Sequence, residues 1–437
     1  MPQTDLAEVV QRVEKWIHSH RKETEHGIVW GLANEAPDTC LHTLYAGSAG
    51  IALFYLELFR LTGDQGYLDE AVAAGRDLVA YVHSKESLTC SCLGGWGGYL
   101  FVLNELKEAS GDAAFGDAAR YCAQRLRDDA TEVGSGIGWI APMPYAKLTG
   151  HQGTREIYDV AEGAAGIGLY YLYAHEKGVH PEALAWVTQI ADRLLDVAEP
   201  AEGGLRWQLM DDIPWPFDAP NFAHGTAGVA YFFARAYEAT QDKRYLDAAL
   251  AGAGHVKAMA VPVGEGQLVP HILNDGQADR FYLGFCHGPA GTSRLFYLLG
   301  RITGDESIAQ WSDELLEGLL HLGAPETRGE GLWNNISQCC CDAGIGDYAV
   351  SMYNATRDNR YLALARRVAD ELVRRSDGDA ETCYWPQAEH RSQPGFIQAQ
   401  TGYMQGAAGV ASFLIHLATT ESGHPIKIQF PESPFVQ

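Results

Sequence analysis

The sequence predicts an all-α protein, an α/α toroid of about seven inner and seven outer helices. Three observations carry this. Gly-x-x-Gly, or a close relative, occurs seven times: Gly47-Gly50, Gly95-Gly98, Gly163-Gly166, Gly225-Gly228, Gly288-Gly291, Cys341-Gly344 and Gly406-Gly409. Twelve residues after the second glycine stands a hydroxyl residue in five copies (Thr62, Ser110, Thr240, Thr303, Thr356), usually followed by a Gly-Asp or similar turn. Between these landmarks apolar residues recur at three- and four-residue spacing, the period of a helix.

In chain order, the opening MPQTDLAEVVQRVEKWIHSHRKE is amphipathic and places an N-terminal helix within residues 1–40, packed on the toroid. It lacks the apolar centre of a signal peptide. The stretch IALFYLELFRLTG (51–63) is apolar nearly all round, as suits an inner helix packed on both sides. YLDEAVAAGRDLVAYV (67–82) is charged on one face and belongs outside. The same pair follows each glycine signal. Tyr67, Phe115, Tyr245 and Tyr361, each 17 residues past a second glycine, open the outer segment and fix the sixth copy at Cys341, where the first glycine is lost. Segments 132–158 and 200–223 are rich in Pro, Gly, Trp and Asp and read as long loops within one domain spanning 1–437. Trp207, Trp215 and Trp333 are candidates for lining a peptide groove, with core packing as the simpler use. Small residues ahead of each inner helix let the loops turn tightly and approach one another, so the seven loops should line one mouth of the ring.

The charge balance of −24 argues against nucleic acid, which needs clustered Lys and Arg. No apolar run reaches membrane-spanning length. Nine cysteines, three of them consecutive, do not look like a disulfide framework and suit a reducing, cytoplasmic setting where thiols serve metal or chemistry.

On the repeat register, Cys286 and Cys339 both lie two residues before the first glycine position, in copies five and six. Cys340, His287 and His224 lie one before, in copies six, five and four. Thiolate donors suggest zinc, and Cys286, Cys339 and Cys340 supply three ligands, leaving a fourth place for water or a substrate atom. His287 is expected beside the ligands rather than among them. Cys341, in the glycine slot, should point elsewhere, and Cys40, Cys90, Cys92, Cys122 and Cys383 read as buried filler.

Seven Gly-x-x-Gly helix pairs with Cys-His-Gly in the fifth and Cys-Cys in the sixth resemble the lanthionine synthetase C-like family, over about Leu44 to Leu417. The resemblance implies an α/α toroid with zinc at its mouth that joins a peptide cysteine to dehydroalanine or dehydrobutyrine as a thioether. Its zinc cysteines match Cys286 and Cys339. Its third ligand, a histidine in most members, matches Cys340, as in a three-cysteine subset. Its active-site histidine matches His224, implying a general acid, and its aspartate matches Asp159, implying an orienting partner. Where some members carry an arginine this chain has Tyr282, with Arg280 two residues earlier. The expected partners are a dehydrated precursor peptide and a separate dehydratase, since the repeats consume the chain. Alternatives within the resemblance are addition of glutathione to dehydroamino acids in proteins, or a non-catalytic peptide-binding toroid whose zinc is closed by His287 or Cys341. Sugar chemistry on the same fold would need paired acids at the glycine loops, and the sequence offers none there.

Overall fold

The computed structural model describes residues 5–142, 150, 152–213, 218–273, 280–327, 335–388 and 393–435. Seven inner helices run Ser48–Thr62, Trp96–Ser110, Ala164–Glu176, Thr226–Thr240, Pro289–Thr303, Asp342–Thr356 and Ala407–Glu421. Each packs on the next, and the seventh packs on the first, so the ring closes. Their buried residues face nearly all directions, as an all-apolar helix requires.

Outer helices follow in repeats one to six: Gln65–His83, Ala113–Asp128, Ala183–Asp196, Lys243–Met259, the broken pair Glu306–Ala309 and Trp311–His321, and Asn359–Arg375. The seventh outer place goes to the start of the chain. Leu6–His18 packs on Ala407–Glu421 through Val9, Val10, Val13, Trp16 and Ile17. The N-terminal helix expected within 1–40 is therefore short. Residues Arg21–Glu23, Ile28–Ala33 and Ala36–Cys40 form a three-stranded sheet instead, rich in β-branched and turn-forming residues.

The recurring hydroxyl acts as a hinge. Thr62, Ser110, Thr240, Thr303 and Thr356 each donate at 2.7 Å to the carbonyl four residues back, while accepting from the N–H of Asp64, Asp112, Asp242, Asp305 or Asp358. Those aspartates then cap the outer helices. One side chain thus ends the inner helix and aims the chain into the next.

The stretches read as long loops carry short hairpins, among them Thr131–Val133 with Gly136–Gly138, Ile140–Pro142 with Thr154–Glu156, and Glu199–Ala201 with Gly204–Arg206. Strands of three residues leave too little alternation to see in sequence. Indole N–H groups of Trp139, Trp207 and Trp385 donate to the last-turn carbonyls of Leu126, Leu194 and Leu372 at 2.9, 2.8 and 2.7 Å. Trp207 is accordingly a buried helix cap rather than a groove residue, while Trp215 and Trp333 lie outside the described residues. Past the last helix, the chain returns against the inner helices, with Phe430 packed on Phe101 and Tyr403, and Phe435 on Tyr297 and Tyr348. There Arg235, Arg294 and Arg301 donate to the carbonyls of Pro431, Glu432 and Pro434. Among the described residues, no helix is long and apolar enough to cross a membrane.

Candidate active site

The glycines explain how seven loops crowd one mouth. In every repeat a Cβ on the second glycine would sit 1.8–2.7 Å from the carbonyl oxygen six residues earlier, so only glycine fits. The first glycine position caps each inner helix, a place held by Cys341 in repeat six.

Two residues before that cap, the loops hydrogen-bond to one another around the mouth. Tyr45 N–H donates to Leu93 O (2.9 Å), Ala161 to Ala223 (3.0 Å), Ala223 to Cys286 (2.8 Å), Cys286 to Cys339 (3.0 Å), Cys339 to Met404 (3.0 Å) and Met404 to Tyr45 (2.8 Å). Ser91 Oγ completes the circuit by donating to Ala161 O at 3.1 Å. Cys286 and Cys339 are consecutive members of this ring, which is why thiols remote in sequence meet.

Sγ of Cys286, Cys339 and Cys340 all lie within 4.8 Å of one another. Cys286 and Cys339 are buried and Cys340 is partly open. Cys341 and His287 do not join this cluster among the described residues. Hydrogen bonds from Cys286 and Cys339 hold the Cys340 thiol far below the usual thiol range, while Cys286 is driven up by its bonds to Cys339 and then Cys340. A tetrahedral zinc with bonds of about 2.3 Å sets its sulfurs roughly 3.8 Å apart. The donor set and spacing fit such an ion.

One residue before the cap, repeats three to seven present Glu162, His224, His287, Cys340 and Gln405 in succession. His224 Nδ1 lies 2.8 Å from Oδ2 of Asp159, which is wholly buried. The other Asp159 oxygen accepts from the Glu162 N–H at 2.8 Å, so the carboxylate is held from two sides. Burial opposes the His224 imidazolium, yet the Asp159 carboxylate, with Glu162 and Cys340 nearby, lifts its pKa above the ordinary histidine value. Burial, reinforced by Asp159, pushes the Glu162 carboxyl up to about 7.

The His287 ring lies 5.0 Å from that of His224, tilted by 33°, and burial holds it neutral, its pKa well below the usual value. On its other side lies His271, at 4.2 Å, which stacks on Tyr282 at 3.7 Å. Arg280 enters through its backbone carbonyl, which accepts from His271 N–H at 2.9 Å. Sequence reasoning missed Tyr45, Glu162, His271 and Gln405. The register itself could have found three of them, since Tyr45, Glu162 and Gln405 occupy the same two columns as the cysteines and histidines.

The fold and site define a helical toroid with a three-thiol cluster and a carboxylate–imidazole pair at one mouth. A family model described as lanthionine synthetase C-like protein matches residues 41–426. The chain belongs to that family. Among curated protein sequences, none matches. Of solved structures, nisin cyclase is similar over 96% of this chain and 94% of its own, at 15% identity and a TM-score of 0.62. A GH76 alpha-mannanase from Bacteroides thetaiotaomicron covers 96% and 97% at 11% identity, TM-score 0.50. The Lin0763 protein from Listeria innocua covers 97% and 100% at 11% identity, TM-score 0.50. These likenesses establish the toroid, a scaffold that other enzymes also use.

Proposed function

We propose that this chain is a zinc-dependent lanthipeptide cyclase. It adds cysteine thiols of a dehydrated precursor peptide to dehydroalanine or dehydrobutyrine, forming lanthionine or methyllanthionine rings. The observation that carries the reading is the convergence of Cys286, Cys339 and Cys340 from two adjacent loops, with no fourth protein donor in the cluster among the described residues. Three protein ligands, with the fourth place taken by water or substrate, are what a catalytic zinc site needs. When bound, such an ion supplies Lewis acidity that turns a substrate thiol into a thiolate near neutral pH.

The remaining chemistry falls to the chain. The reaction joins sulfur to the β-carbon of the alkene, breaks its π bond and leaves an enolate whose α-carbon takes a proton. Asp159 fixes the His224 ring through Nδ1, so proton delivery falls to Nε2. The carboxylate favours the imidazolium form, which keeps that proton available at neutral pH. His287, neutral and packed against His224, shields one side of the imidazole from water. A precursor dehydrated by a separate enzyme is the substrate, met in the cytoplasm.

The test incubates purified protein with a dehydrated peptide containing cysteine and counts free thiols by alkylation and mass spectrometry. Loss of alkylatable cysteine at unchanged peptide mass supports cyclisation, and Cys339→Ala should abolish it. A parallel reaction with glutathione separates the ring-forming reading from addition of a small thiol, which raises peptide mass by one glutathione.

A further inference from the structure

Repeats seven and one contribute no sulfur, yet each sends a polar side chain to the cluster. Gln405 is buried at the register position held by Cys340 in repeat six and His287 in repeat five. Its Nε2 lies 3.5 Å from Cys340 Sγ and 2.6 Å from the Tyr45 hydroxyl. That hydroxyl hydrogen-bonds in turn to Cys339. The pair spans the seam where the last repeat meets the first.

The backbone dictates which end of the Gln405 amide faces the sulfur. Ile336 N–H donates to Gln387 Oε1 at 3.2 Å, which obliges Gln387 to present its Nε2. That nitrogen reaches both the Gln405 backbone carbonyl and Gln405 Oε1, the latter at 3.4 Å. With Oε1 engaged by a donor, Gln405 offers N–H to Cys340.

Three thiolates around a divalent ion leave one excess negative charge, and a bound substrate thiolate makes it two. Unrelieved negative charge in a buried site is costly, and N–H or O–H bonds to an ionised acceptor relieve it more than neutral ones do. Hydrogen bonds behind the ligands also fix their orientation. We infer that Gln405 and Tyr45 are the positioning pair of the three-thiolate site, Gln405 donating to Cys340 and Tyr45 to Cys339, so that the extra sulfur at Cys340 is held and its charge offset. The inference rests on the metal reading above and deepens it.

The test loads wild type, Gln405→Met, Tyr45→Phe, Cys340→His and the Cys340→His/Gln405→Met double variant with Co²⁺ and with Zn²⁺. It measures ions per chain, zinc affinity by chelator competition, and the sulfur-to-cobalt charge-transfer band. Gln405→Met should still take one ion, but about 10- to 100-fold more weakly, with the band moved to lower energy. In the Cys340→His background the same change should cost less than about threefold, because the acceptor sulfur is gone. A merely structural glutamine would cost the same in both backgrounds, and that result, or equal affinity and spectra for wild type and Gln405→Met, overturns the inference. Should Gln405→Met not fold, Tyr45→Phe carries the test at Cys339, where an unchanged band and affinity would overturn it. Absence of bound cobalt in wild type would overturn the metal reading and this inference together, an outcome distinct from the others.

Discussion

The backbone N–H of Cys286 donates to the carbonyl of Cys339 at 3.0 Å, and this bond makes two repeats into one site. It belongs to a circuit of loop-to-loop bonds in which every repeat but the second donates from the same register position. The side chains at that position and the next are delivered to the mouth by the geometry of the ring, whatever their chemistry.

If the three sulfurs are ligands, removing one leaves a two-donor site. Cys286→Ala and Cys339→Ala should each weaken zinc binding by more than about 100-fold, beyond the 10- to 100-fold typical of a lost supporting bond. Chelator competition followed by elemental analysis checks this, and Cys341→Ala should retain one zinc.

Cys340→His should keep the ion and make the site one unit less negative. A less electron-rich centre leaves the bound sulfur less nucleophilic, so kcat should fall while zinc content stays near one per chain. Steady-state cyclisation kinetics beside metal analysis separates the two effects.

His224→Asn should lower kcat by about 10²- to 10⁴-fold, the usual contribution of a positioned acid. The sign of the pH effect follows from the raised His224 pKa: the imidazolium is present below that value and lost as pH rises through it. The basic limb of the kcat profile should therefore lie above the ordinary histidine range. Asp159→Asn, which removes the carboxylate, should move that limb to lower pH.

Among the inner helices, His416 bridges Asp347 at 2.5 Å and Glu57 at 3.2 Å, tying repeats seven, six and one. Burial opposes its charge, but the two carboxylates raise its pKa to about 10. Its contribution to stability is full below about 6.5 and lost as pH climbs through about 10. Denaturant midpoints should fall over that window in wild type. His416→Leu, which leaves two carboxylates unpaired, should cost about 3–5 kcal/mol and flatten the slope.

Glycine substitutions separate close approach from simple propensity. In Gly228→Ala the new Cβ would meet Phe222 O at 2.0 Å, so the loop must shift, costing about 2–4 kcal/mol. Gly116, in an outer helix with its nearest neighbour the Lys107 side chain at 3.4 Å, should instead gain up to about 1 kcal/mol as alanine. Thermal denaturation of both variants checks the contrast.

The seven-fold repeat, the inner and outer helices and the cysteine cluster were legible because each rests on spacing that any helix-pair repeat must keep. Thr62 and its counterparts marked the hinges because one hydroxyl serves both helices. What escaped detection has no periodic signature. The hairpins around Trp139 and Trp207 are three residues a side, and the N-terminal sheet pairs Arg21–Glu23 with Ile28–Ala33 through register alone. The placing of Leu6–His18 as the seventh outer helix depends on ring closure, which local pattern does not encode. Gln405 and Tyr45 looked ordinary because their partners come from other repeats, and His271 lies outside the glycine register altogether.

X-ray absorption at the zinc edge reads out whether three chain sulfurs hold one ion with a place left for substrate. The expected spectrum is that of one zinc per chain with three sulfurs and one lighter atom, changing to four sulfurs when a cysteine-containing dehydrated peptide binds. A shell already complete with four protein donors and unchanged by peptide, or no zinc at all, would contradict it.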